Sequence, residues 1–148
     1  MIIADTGAIV ALIDTSDRHH RALSDRYRQD SGRWVLPWAI LPEVDYLIAS
    51  YLGPRAEEAF LSDLAEGAFQ VEWGRDADVA RAHALARQYR ALQLGLVDGV
   101  VIAVAERLRA EAIVTLDLCH FGAVSIKGNP AIWPRDLGKA FGKASGKA

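Results

Sequence analysis

Four carboxylates stand out by their surroundings. Asp5 follows the apolar run Met1-Ile2-Ile3-Ala4 directly, and Glu43 follows Pro42 at the head of an apolar helical stretch. Asp98 sits inside Leu94-Gly95-Leu96-Val97-Asp98-Gly99-Val100-Val101-Ile102, and Asp117 comes straight after Ile113-Val114-Thr115-Leu116. An ionised carboxylate in apolar surroundings is costly unless it is paired, hydrogen-bonded or bound to a cation. Basic partners are scarce in these segments. A shared divalent cation would relieve all four at once, and oxygen-only donors favour Mg²⁺, with Mn²⁺ next, over Zn²⁺.

Each carboxylate also has a plainer reading. Asp5 could cap a helix beginning at Gly7, Asp98 could cap the first turn of its own helix, and Asp117 could shape a turn. It is the set, placed at strand ends and helix starts, that argues for chemistry. Asp14, Asp17 and Asp45 read as surface or capping residues. His19 and His20 are adjacent, so on a helix they point apart and make no metal pair. Cys119 and His120 are sequence neighbours and do not read as a nucleophile–base pair. No glycine-rich phosphate loop is present. Trp34, Trp38, Trp73 and Trp133 read as core or interface, with Trp38 close to Glu43 in sequence.

The elements that must position these groups alternate. Strands are expected at Met1–Ala4, Trp34–Leu36, Phe69–Glu72 and Ala112–Thr115, with Ile132–Trp133 as a candidate fifth. Helices are expected at Gly7–Ile13, His19–Gln29, Glu43–Leu52, Arg55–Ala65, Asp76–Leu92 and Leu96–Arg109. In the second of these, Ala22, Leu23 and Tyr27 should face inward; in the fifth, Val79, Ala82, His83, Ala86 and Tyr89. The Leu96–Arg109 run is apolar almost throughout; its length and alanine-rich end favour a buried helix over a strand. Strands separated by helices imply parallel pairing in an α/β layered fold, whose ligands gather at the carboxyl ends of strands. Asp5 ends the first strand and Asp117 follows the fourth.

The chain has 148 residues with 51% hydrophobic and 24% charged, which suits one domain with a substantial core. That domain is expected to span residues 1–138, with 139–148 as a flexible basic tail. One cysteine excludes an internal disulfide and a four-cysteine metal site. The N-terminus lacks a basic region before its first carboxylate, and no apolar run approaches membrane-spanning length, so a cytoplasmic protein is expected. A net charge of −2 argues against coating nucleic acid by bulk charge. The basic residues are nonetheless uneven: Arg18, Arg21, Arg26, Arg28 and Arg33 cluster early, and Lys127, Arg135, Lys139, Lys143 and Lys147 late. They fit either solvated surfaces or local contact with nucleic acid.

Ile3-Ala4-Asp5-Thr6, Pro42-Glu43-Val44, Asp98-Gly99-Val100-Val101-Ile102-Ala103 and Thr115-Leu116-Asp117 with His120-Phe121 resemble, in order and spacing, the acidic motifs of PIN domains. The match looks like the VapC toxin branch and covers almost the whole chain. The resemblance implies a three-layer α/β/α, Rossmann-like sandwich around a parallel sheet of about five strands. It implies a Mg²⁺-dependent endoribonuclease acting on structured ribosomal or transfer RNA, homodimerisation, and inhibition by a small VapB-type antitoxin. By matching position, Asp5, Glu43, Asp98 and Asp117 form its acidic site, with Thr6 and Thr115 in support.

The chain departs from the family pattern twice. Many relatives carry Ser or Asn where this chain has Gly7, which leaves Thr6 to orient Asp5. Many also place another acidic residue just after the fourth carboxylate, where this chain has Leu118-Cys119-His120-Phe121. On this reading the metal lowers the pKa of a water that attacks the phosphodiester in line; Asp5, Asp98 and Asp117 are ligands, and Glu43 is a ligand or orients the water. Two alternatives stand beside it: a phosphohydrolase with Asp5 as nucleophile, and a catalytically inactive PIN-like module that binds RNA or protein. The first usually needs an acidic residue at the Gly7 position, and retention of all four carboxylates weighs against the second.

Overall fold

The computed structural model describes residues 1–30 and 32–138. Five short strands form one sheet: β1 (Ile2–Ala4), β2 (Trp34–Pro37), β3 (Gln70–Glu72), β4 (Ala112–Val114) and β5 (Ala131–Trp133). Their order is β3-β2-β1-β4-β5, and every pairing is parallel. The basic tail expected at 139–148 lies outside the described residues.

β1 and β4 are buried at every position because helices cover both faces, so neither strand shows an alternating pattern. Helices α1 (Thr6–Ile13), α2 (His20–Gln29), α3 (Leu41–Leu52) and α4 (Pro54–Ala65) form one contiguous layer through α1–α2, α1–α3 and α3–α4 contacts. The other layer holds α5 (Asp76–Gln88) and α6 (Leu96–Arg107), which pack on each other, with α6 lying on β1 and β2. Pro54 begins α4 at a position where its missing N–H costs nothing, and Gly53 just before it takes a φ of 90°. A single-turn helix, α7 (Leu118–Phe121), follows β4.

α6 is apolar all round because it is covered all round. Gly99 to Ala105 are buried without a break, between the sheet and α5. The α5–α6 crossing is so close that a Cβ on Gly99 would stand 2.7 Å from the Ala82 Cβ. Charged pairs lock the same two helices. Arg107 makes two hydrogen bonds of 2.8 Å to the buried Asp78 carboxylate and one of 2.8 Å to Glu72, and Arg81 holds Glu106 at 2.8 and 3.0 Å. The guanidinium of Arg107 therefore ties α6 to α5 and to β3.

Several local expectations are corrected. The fifth helix ends at Gln88, and Arg90–Leu92 forms a separate 3-10 turn. Of the residues expected inward on α2, Ala22 is exposed and only Leu23 is fully buried. On α5 the buried residues are Asp78, Ala82 and Leu85, while Val79 is 47% exposed. Trp34 belongs to the core, but Trp73 is 74% exposed. α6 holds little surplus apolar surface for a second copy apart from Leu96, whereas α3 exposes Tyr46 and Tyr51.

Candidate metal centre

The sheet order reverses its direction of growth between β1 and β4, and a crevice opens there beyond the carboxyl ends of the two strands. Asp5 is the first residue after β1 and Thr115 the first after β4. Asp98 reaches the crevice from the first turn of α6, and Glu43 from the first turn of α3. Asp117 caps α7, its Oδ1 accepting the His120 backbone N–H at 3.1 Å. Asp5, Thr6, Gly7, Glu43, Leu47, Val97, Asp98, Leu116 and Asp117 line one cavity of about 320 Å³. Four carboxylates far apart in sequence thus converge on one space.

Their environments differ. Asp5 is 6% exposed, and burial pushes its pKa up to about 6. Hydrogen bonds from the Thr6 backbone and the Thr115 side chain pull it down, and the charges of Asp98 and Glu43 push it up. The Thr115 hydroxyl donates to Asp5 Oδ2 at 2.9 Å while accepting the Asp117 N–H at 3.1 Å. An ionised carboxylate can only accept, so the hydroxyl proton points to Asp5 while a lone pair of the same oxygen takes the Asp117 N–H. Thr115 therefore does the work expected of Thr6, whose hydroxyl is buried without a partner among the described residues. Glu43 is exposed and Asp117 is half-buried at the cavity rim.

His120 joins this group, although the sequence reading gave it no role. Its Nδ1 lies 2.6 Å from Asp98 Oδ2 and 3.1 Å from Asp117 Oδ2. Burial lifts Asp98 above the ordinary carboxylate range although the His120 imidazole pulls the other way. The hydrogen bond to Asp98 in turn raises His120 above the ordinary histidine value. The available signal was spacing: a residue three positions after a helix-capping carboxylate returns to the same side as that carboxylate.

The donor set fits a divalent ion. Asp98, Asp117 and His120 each offer a ligand atom, all within 4.8 Å of one another. Asp5 and Glu43 face the same cavity but stand outside that closest group, so the four carboxylates do not form one equidistant cage. Beside this cavity, and sharing Leu116 with it, lies a larger one of about 590 Å³. None of the four carboxylates lines it; Arg18, His19 and Arg135 do, with Asp17 as its acidic member. The acidic pocket suits a cation; in its neighbour Arg135 is bonded to Asp136 at 2.9 Å and His19 is paired with Asp17 at 3.2 Å.

The parallel sheet with acidic residues at its switch point has its counterpart among known proteins: a PIN-domain family model matches residues 2–121, and the chain belongs to the PIN-domain family. The particular relatives are VapC proteins. Over 123 residues the chain is 32% identical to Ribonuclease VapC26 of Mycobacterium tuberculosis, covering 83% of this chain and 91% of the relative. Among solved structures, Mycobacterium tuberculosis VapC20, a toxin that cleaves the sarcin–ricin loop, superposes with a TM-score of 0.76 at 19% identity, over 86% of this chain and 98% of that one. DNA-bound VapBC from Salmonella typhimurium superposes with a TM-score of 0.65 at 19% identity, over 88% and 95% of the two chains. Both likenesses support the fold. No helix among the described residues is long and apolar enough to cross a membrane.

Proposed function

We propose that this chain is a metal-dependent endoribonuclease of the VapC toxin type, silenced by a small VapB-type antitoxin. The observation that carries the reading is the convergence of Asp5, Glu43, Asp98 and Asp117 on one cavity at the switch point of a PIN-domain sheet. The 32% identity to a VapC ribonuclease over most of the chain supports the activity.

Asp98 and Asp117, with Asp5 behind them, are the groups that would hold the divalent ion, and Mg²⁺ is the first candidate on the strength of its oxygen donors. When bound, that ion supplies charge neutralisation at the scissile phosphate and a water of lowered pKa. Thr115 keeps the Asp5 carboxylate aimed by donating its proton to it. Glu43, exposed and lining the same cavity, would be a further ligand or would orient the attacking water. Arg18, exposed on the adjoining cavity, would meet the RNA backbone. A structured RNA, ribosomal or transfer, is the proposed substrate class.

The antitoxin reading follows from charge. A cluster of carboxylates without metal is a strongly negative pocket, and an Arg fork from a partner can bond two carboxylate oxygens. Glu43 and Asp117 at the rim are more accessible to such a fork than Asp5. A homodimer is also proposed, through the face of α3 that exposes Tyr46 and Tyr51.

Purified protein incubated with structured RNA, with Mg²⁺ or with a chelator, tests the main reading. Discrete fragments that appear only with the divalent ion support it. RNA left intact but retained in a gel shift would support the binding-module alternative.

A further inference from the structure

His120, three residues after Asp117, is the least expected feature of the site. Its backbone N–H bonds to Asp117 Oδ1 at 3.1 Å, and its ring Nδ1 faces Asp98 Oδ2 at 2.6 Å and Asp117 Oδ2 at 3.1 Å. Two ligands at adjacent corners of an octahedron, each about 2.1 Å from a metal, stand about 3 Å apart. Both nitrogen–oxygen separations are within a few tenths of an ångström of that edge.

We propose that His120 is a ligand of the site's divalent ion, joining Asp98 and Asp117 through Nδ1, and that it turns the preference of the site from Mg²⁺ towards Mn²⁺. The inference rests on reading the acidic pocket as a metal site. An imidazole donor is poorly matched to Mg²⁺, which holds to oxygen ligands; first-row transition ions take nitrogen more readily, and among them Mn²⁺ is the one that also suits carboxylates. Ion binding exchanges the hydrogen between Nδ1 and Asp98 for two metal bonds, and the proton leaves to solvent. His120 then gives this chain a mixed nitrogen–oxygen site.

The test uses the full chain and Mn²⁺ itself as probe. Electron spin-echo envelope modulation of the Mn²⁺-loaded protein should show ¹⁴N coupling. That coupling should vanish in His120→Ala and His120→Gln while Mn²⁺ still binds at saturating concentration. Calorimetry should show wild-type protein binding Mn²⁺ roughly ten-fold or more tightly than Mg²⁺, with most of that preference lost in the variants. Circular dichroism checks that each variant is folded, and a wild-type spectrum without coupling needs no variant to be decisive. Absence of ¹⁴N coupling in wild-type protein with Mn²⁺ bound overturns the His120 assignment and leaves the metal-dependent reading standing. The same holds if coupling persists in both variants, or if they bind Mn²⁺ more tightly, as they would if His120 were a cationic plug between the carboxylates. Failure of wild-type protein to bind Mn²⁺ or Mg²⁺ at all overturns both readings.

Discussion

Thr115 Oγ1 donates to Asp5 Oδ2 at 2.9 Å and accepts the Asp117 N–H at 3.1 Å. Three site residues are thereby linked across the β1–β4 pairing. Thr115→Val keeps the side chain's shape and removes the donor. We expect catalytic rate to fall by about 10–100-fold, as when an outer partner of a metal ligand is lost. The Asp5 carboxyl, without its hydroxyl donor, should be harder to ionise, so the acidic limb of the pH–rate profile should move to higher pH. Thr115→Ser should restore both. An unchanged pH profile in Thr115→Val would mean the hydroxyl is not orienting Asp5.

Asp5 also predicts the pH dependence of stability. Its carboxyl is raised from 3.8 to about 6 in the metal-free fold, chiefly by burial. A raised acid favours its protonated form in the native state, so native protein binds more protons than unfolded protein between these values. The contribution of Asp5 therefore falls as pH rises from about 4 to about 6, by an amount on the order of 3 kcal/mol. Metal-free Asp5→Asn should melt above wild type at pH 7.5, and the gap should close towards pH 4. Thermal denaturation across that range in the presence of a chelator measures it. An equal gap at every pH would contradict the assignment.

Gly99 follows Asp98 immediately and has no room for a methyl group: the added carbon would stand 2.7 Å from the Ala82 Cβ and 2.9 Å from its Cα. Gly99→Ala must push α6 from α5. We expect a loss of about 1–3 kcal/mol from overpacking, and weaker divalent-ion binding because Asp98 moves with the helix. Adding Ala82→Gly should recover part of both losses. Denaturant midpoints and metal titrations of the single and double variants test this, and stability equal to wild type in Gly99→Ala alone would refute the close crossing.

Arg18 is exposed on the larger cavity beside the acidic pocket. Arg18→Glu should raise KM for RNA while leaving kcat within about two-fold, and should reduce the salt dependence of RNA binding by roughly one phosphate contact. A fall in kcat at unchanged KM would place Arg18 in the chemistry instead.

The architecture was largely legible because β1 and β4 are buried at every position and α6 is buried from Gly99 to Ala105, so that each reads as an apolar run with a carboxylate close to one end. Parallel pairing followed from the alternation of strands and helices. Partly exposed elements were harder to read. On α5 and its C-cap, Ala82 and Tyr89 meet the core as expected, whereas Val79 and His83 are exposed and Asp78 was missed, because it is buried by its pairing with Arg107, a contact that joins residues 29 apart. Hydrophobic periodicity cannot register a buried ion pair. Thr115, rather than Thr6, orients Asp5 because β4 lies beside β1, a neighbour relation fixed by sheet order. His120 was hidden in the same way: its partnership with Asp98 spans 22 residues and depends on how α6 meets the one-turn α7.

The central claim is that carboxylates gathered at the β1–β4 switch point cut RNA through a divalent ion. The most direct measurement is the single-turnover cleavage rate of structured RNA by wild type, Asp98→Ala and Asp117→Ala, each shown to be folded, over a titration of divalent ion. Wild-type cleavage should depend on the ion and saturate. Both variants should lose cleavage by at least about 10³-fold, a barrier change of roughly 4 kcal/mol. Cleavage at the wild-type rate by folded Asp98→Ala, or wild-type cleavage undiminished by chelator, would contradict the account.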